Sequence, residues 1–135
     1  MQKDCTLRVE FCIVNRKYMK VYCKTCGIAV TKEIQLYTGK SFGEADEQPF
    51  IQPGYYVISD GNFFTGSAGY IIGNIDDLQN TKQHYDRSRL NGCCGLDGCD
   101  GPNTICVNGH EIATEKSDCW MPFAVIFEKG KTVLK

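Results

Sequence analysis

Two groups of cysteines, separated by most of the chain, constrain this sequence more than any other feature. Cys23-Lys24-Thr25-Cys26-Gly27 is a C-x-x-C-G turn, and Cys93, Cys94, Cys99 and Cys106 crowd the stretch NGCCGLDGCDGPNTIC. A turn of this kind presents two thiolates to one point, with Gly27 permitting the tight backbone. A tetrahedral ion such as zinc needs two further ligands, and soft thiolates suit it. If the two groups share one ion, the fold must carry the 93–106 segment back onto the 23–26 turn. The chain has nine cysteines, so complete internal disulfide pairing is excluded.

The rest of the composition allows such a fold. At 135 residues, with 42% hydrophobic and 23% charged, the chain reads as a single globular domain over 1–135. Fifteen basic against sixteen acidic residues leave no strong general attraction for nucleic acid. Arg8, Glu10 and Asn15 interrupt the early apolar stretch, so no secretory core is read there. No run of about 18 apolar residues predicts a membrane span. The expectation is a cytoplasmic protein in which thiols stay reduced and ligate metal rather than pair.

Periodicity predicts mainly strands. LRVEFCIV at 7–14 and YMKVYC at 18–23 read as a hairpin around Asn15-Arg16-Lys17. IAVTKEIQLY at 28–37 reads as a third strand, YYVIS at 55–59 as a fourth, and 69–72, 110–114 and 123–128 follow. Residues 38–54 and 91–106 read as loops. Asn74 is placed to cap one short helix, with Asp77 in its first turn. The expected class is α+β and β-rich: antiparallel strands, one short helix and a zinc-ribbon-like cysteine cluster.

The expected metal ligands are Cys23, Cys26, Cys94 and Cys106. Adjacent side chains on extended backbone point opposite ways, so one ion is not expected to take both Cys93 and Cys94. Cys94 is preferred because it adjoins Gly95, with Cys99 as the alternative. Cys5 and Cys12 read as small buried hydrophobes. Cys119, beside Trp120, reads the same way. Ser117-Asp118 is placed to orient a ligand through hydrogen bonds.

Catalysis is not the favoured reading, and no catalytic residue is assigned. A redox C-x-x-C needs a helix after its first thiol, whereas 27–37 reads as strand. His110 follows Cys106 by four, so a mixed Cys/His site is an alternative ligand set. But His110-Glu111-Ile112 lacks the H-x-E order of the zinc deaminases. Gly39-Lys40-Ser41 lacks the upstream glycine of a phosphate loop, because that position is Ile34.

One face deserves a second function class. On extended backbone Arg16, Tyr18, Lys20, Tyr22 and Lys24 would share a side, and bases and phosphates suit such a stripe. The plainer reading is a solvated hairpin side.

The segment Leu90-Asn91-Gly92-Cys93-Cys94-Gly95-Leu96-Asp97-Gly98, with Gly101-Pro102-Asn103, Cys106 and Ser117-Asp118-Cys119-Trp120, resembles a family of small uncharacterised bacterial proteins. The resemblance covers residues 90–120 and implies no activity. Similar sequences often close the loop with C-x-C-G, where this chain has Asn108. The sequence therefore leads to a zinc-binding interaction module with a structural metal and a protein partner. The alternatives are a metal- or Cys-dependent enzyme, and a nucleic-acid-binding module using 16–24.

Overall fold

A computed structural model describes residues 17–135. The expected 7–14 strand, its hairpin with 18–23, Arg16, and the packing of Cys5 and Cys12 lie outside the described residues. Among those described the strands are β1 (Val21–Cys23), β2 (Gln35–Leu36), β3 (Tyr55–Ile58), β4 (Ile71–Gly73), β5 (Thr81–Gln83), β6 (Thr104–Cys106), β7 (Glu111–Lys116), β8 (Ala124–Phe127) and β9 (Thr132–Leu134). Seven of them form a sheet in the order β2-β3-β4-β8-β7-β6-β5, and β1 pairs with β9. The pairings are antiparallel except for β2 with β3, which is parallel. The molecule is thus β-rich, with a mixed rather than purely antiparallel large sheet.

β8 shows why the sheet forms where it does. Its AVIF run is buried at every position. Val125 and Phe127 join one core with Val21, Cys23, Val30, Ile34, Cys106 and Ile112. Ala124 and Ile126 face the opposite way, into a second core with Phe50, Ile51 and Ile72. A central strand covered on both faces reads as a continuous apolar run, because neither face can afford a polar residue. The first core is the one that matters for the metal ligands. It packs the β1 segment against β6, β7 and β8.

The expected third strand over 28–37 is not one strand. Its residues bond to different partners in turn: Ala29 bridges Tyr22, Thr31 bridges Leu78, and Ile34 bridges Met19, before Gln35 and Leu36 enter the large sheet. The Thr31 hydroxyl accepts the Val21 N–H at 3.0 Å, standing in for a ladder carbonyl. Helix is as scarce as expected, and it is 3-10 rather than α. Among the described residues it is confined to two 3-10 turns, Ile75–Asp77 and Arg87–Arg89. Asn74 does cap the first, its side chain accepting the Asp76 N–H at 2.8 Å. Leu78 then leaves helical geometry with ψ 139 and joins Thr31.

Sequence reading missed β5, β6 and β9. Each is three residues long, too short to show a period, and β5 is the polar run Thr81-Lys82-Gln83. β6 falls inside the segment expected to be loop. It is held there partly by Asn103, which is fully buried. The Asn103 side chain donates to the Glu115 carbonyl at 2.9 Å and accepts the Glu115 N–H at 2.7 Å. One amide side chain thus supplies the pair of bonds that a neighbouring strand residue would make.

Candidate metal centre

Two hairpin ends converge at one end of the large sheet. In the first, Cys23 closes β1, the Gly27 N–H donates to the Cys23 carbonyl at 2.8 Å, and the Cys23 N–H donates to Ile28 at 2.9 Å. In the second, Cys106 closes β6, the Gly109 N–H donates to the Cys106 carbonyl at 2.8 Å, and the Cys106 N–H donates to His110 at 2.9 Å. Gly27 and Gly109 have φ of 77° and 88°, the left-handed region that both reversals require. The two turns are alike in their bonding. One displays Cys23 and Cys26, the other Cys106 and His110.

Tertiary contacts bring the turns together. Cys23 and Cys106 are buried in the same core. Asn80 adds a polar tie: its side chain donates to the Ala29 carbonyl at 2.8 Å, and its carbonyl accepts the Val107 N–H at 2.9 Å. It does so with φ 57°, a conformation that asparagine tolerates better than most residues.

The ligand atoms of Cys23, Cys26, Cys106 and His110 all lie within 4.8 Å of one another, an arrangement that could hold a metal ion. Cys23 Sγ is 3.6 Å from His110 Nδ1, Cys106 Sγ is 3.4 Å from the same nitrogen, and Cys26 Sγ is 3.8 Å from Cys106 Sγ. Cys23 and Cys106 are buried and Cys26 is exposed, so the group straddles the surface. Asn108 donates to Cys26 Sγ at 3.3 Å. That bond, the Ile28 N–H, and the neighbouring His110 and Cys23 pull the Cys26 thiol down to about 6, favouring thiolate at neutral pH. Burial acts the other way on Cys23 and raises it.

Three of the four ligands expected from sequence, Cys23, Cys26 and Cys106, therefore meet. Cys94 does not join them, and His110 is the fourth member. The C-x-x-x-H spacing from Cys106 to His110 was the available signal. It gains weight only once β6 is seen as a strand ending at Cys106, with Gly109 turning the chain.

Cys94 lies instead in a second group with Cys93 and Cys119, whose sulfurs are again within 4.8 Å of one another. This corrects two expectations: adjacent cysteines do converge, and Cys119 is a partly exposed member of a thiol group. The cause is Asp118, whose side chain is almost fully buried. Its carboxylate accepts the backbone N–H groups of Cys93 at 2.9 Å, Cys94 at 2.8 Å and Gly95 at 3.3 Å. Three successive N–H groups aimed at one carboxylate curl the backbone out of the extended form in which neighbours diverge. The Cys119 N–H at 2.8 Å and the Trp120 indole N–H at 2.9 Å complete the set. The Cys94 and Cys93 N–H groups, aided by these two, hold the Asp118 carboxyl well below the usual range. The neighbouring Cys94 thiol and burial push the Cys119 thiol up to about 12. Cys99 is exposed and belongs to neither group.

Glu111, next to His110, anchors the first group from behind. Its carboxylate takes Lys131 Nζ at 2.8 Å, His84 Nε2 at 2.8 Å and Arg89 at 2.9 Å. The Asp86 N–H donates to His84 Nδ1 at 2.9 Å, so the ring hydrogen sits on Nε2 and points to Glu111. Lys131, followed by His84, draws the Glu111 carboxyl down from 4.5 to about 2. A depressed carboxyl stabilises the fold fully above its unfolded value and loses that contribution as pH falls through its folded value. Glu111→Gln is expected to lower stability at neutral pH by roughly 1.5–3 kcal/mol, the range for hydrogen bonds to a charged group. The gap in urea midpoint between the wild type and this variant should hold from pH 7 to about 5 and narrow below about 4.5. A gap unchanged at about pH 3.5 would contradict the assignment.

The basic and aromatic stripe lies along β1 and the residues that flank it. Tyr18 and Lys24 are exposed, and Lys135 Nζ lies over the Tyr22 ring, 5.0 Å from its centre. No helix among the described residues is long and apolar enough to cross a membrane. The chain matches no family model, no curated protein and no solved structure.

Proposed function

We propose that Cys23, Cys26, Cys106 and His110 form a structural zinc centre, and that the chain is a zinc-stabilised interaction module of the cytoplasm with a protein partner. The observation that carries this reading is the spacing of the four ligand atoms, which all lie within 4.8 Å of one another with three of the six edges near the zinc values. With Zn–S near 2.3 Å and Zn–N near 2.0–2.1 Å, tetrahedral geometry sets S···S edges of about 3.8 Å and S···N edges of about 3.6 Å. The corresponding separations are 3.8 Å for Cys26 to Cys106, 3.6 Å for Cys23 to His110 and 3.4 Å for Cys106 to His110. Calcium and magnesium prefer oxygen donors and larger ligand counts, which argues against them at a Cys3His group.

Four protein ligands close the coordination sphere, the arrangement of structural rather than catalytic zinc. The two turns, each closing a strand with a left-handed glycine, are the reason for calling the arrangement zinc-ribbon-like. Membership of the family of small bacterial proteins resembled over 90–120 belongs to the same proposal. Native mass spectrometry of the untagged protein tests the centre. Zinc held at this centre should be retained in the wild type and lost in Cys106→Ser. A wild-type chain that purifies without metal and melts cooperatively would overturn the reading.

A further inference from the structure

The second thiol group is separate from the first. His110 immediately precedes β7, and Asp118 and Cys119 follow it. Six residues of strand place the two groups about 20 Å apart, too far for one ion to share. Cys93 and Cys94 are exposed and Cys119 is partly so, which leaves the sulfurs reachable from solvent.

The geometry points to a second metal site here: Cys93, Cys94 and Cys119 bind a thiophilic d10 cation through three thiolates, with any further ligand coming from the solvent side. Three observations support it. First, hydrogen bonds and two glycines shape the loop around the three sulfurs. Asp118 fixes the Cys93, Cys94, Gly95 and Cys119 N–H groups. A Cβ at Gly92 would collide with the Gly95 carbonyl oxygen, and one at Gly95 with the Ser117 carbonyl oxygen. The two glycines are therefore the residues that let the backbone close this tightly.

Second, Asp118 is already engaged. Its two oxygens accept five N–H groups, leaving it as the orienting group behind the sulfurs rather than a fourth ligand. Third, among the described residues no other Cys, His, Asp or Glu belongs to this group. Three soft donors select copper(I) or zinc over hard cations. Copper(I) is satisfied by three thiolates, whereas zinc would take a fourth ligand from solution. An ion held this way is expected to exchange far faster than one enclosed by the first centre.

The test uses the full chain under anaerobic reducing conditions, with zinc(II) and copper(I) supplied separately in excess. Native mass spectrometry should show a second metal equivalent with at least one ion. Cys94→Ser/Cys119→Ser should lose that equivalent and keep the first, which also shows that the variant is folded. Should the double variant fail to fold, Cys93→Ser alone should weaken binding of the second equivalent. A competing chelator should remove the second equivalent before the first. X-ray absorption of the second equivalent should give three sulfurs for copper(I), or three sulfurs and one lighter atom for zinc(II). A wild-type chain that takes only one equivalent of either ion would overturn the proposal, as would a second equivalent that persists in a folded double variant. Four sulfurs around the second ion would also overturn it. Retention of the first equivalent by the folded double variant separates this outcome from failure of the structural zinc reading.

Discussion

Stripping the metal from the Cys23–Cys26–Cys106–His110 centre is expected to abolish cooperative unfolding, or to lower Tm by some tens of degrees. Apparent zinc binding contributes about 10–16 kcal/mol in small zinc-finger peptides at neutral pH. A whole domain is stable by about 5–15 kcal/mol. Even a loss of about 5 kcal/mol would move Tm by roughly 20 °C at this chain length. The position of the centre explains why the effect should be global. It ties the β1 turn to the β6–β7 turn, and both strands contribute to the same core through Cys23, Cys106 and Ile112. Without the ion, the Cys26 thiolate is held by hydrogen bonds, chiefly from Asn108 and the Ile28 N–H, and no shared ion ties it to Cys106 on the other turn. The measurement is thermal unfolding by circular dichroism before and after exhaustive chelation, with restoration by added zinc. An unchanged, cooperative transition after verified metal removal would show that the centre does not hold the fold.

The second large effect distinguishes two ligand sets. Cys106→Ser replaces a fully buried soft donor by a shorter, harder one. It is expected to weaken metal binding at the first centre by more than about 100-fold, since loss of an orienting neighbour alone costs 10- to 100-fold. Cys94→Ser should leave that affinity within about twofold, because Cys94 lies beyond the other end of β7. His110→Ala should behave like Cys106→Ser. Competition titrations against a colorimetric zinc chelator read all three. If Cys94→Ser released the first ion and His110→Ala did not, the ligand set would be the one expected from sequence rather than the one the fold assembles.

The difference between those two sets shows where sequence reading stops. The C-x-x-C-G turn was legible because its geometry is local: two thiols and a left-handed glycine within five residues. Cys106 was legible as a member of a thiol-rich segment. His110 was visible only as a spacing, because β6 was hidden inside a segment rich in glycine and turn formers. Its strand character comes from pairing with β5 and β7, and from Asn103 bonding to the Glu115 backbone, none of which three residues can announce.

Cys93, Cys94 and Cys119 show the same limit from the other side. The rule that adjacent residues diverge holds for extended backbone. A buried carboxylate arriving from the far end of β7 cancelled it. The expected role of Ser117-Asp118 in orienting a ligand came from the same stretch of sequence, but the residues it would orient did not. Similarly, the 28–37 segment looked like one strand because its apolar residues alternate, yet each bridging residue answers to a different neighbour.

By itself the sequence determined the chemistry: a β-rich chain with two separated sets of soft donors and a tight turn ready to offer two of them. Local patterns suffice for that, because alternation, glycine turns and donor type act over a few residues. Only the tertiary structure decided which donors meet. That outcome depends on the order of strands in the sheet, on the core that presses β1 against β6, and on Asp118 folding the Cys93–Cys94 backbone around itself. Each of these joins residues distant in the chain, and the free energy that fixes them comes from burial and pairing that no single segment carries.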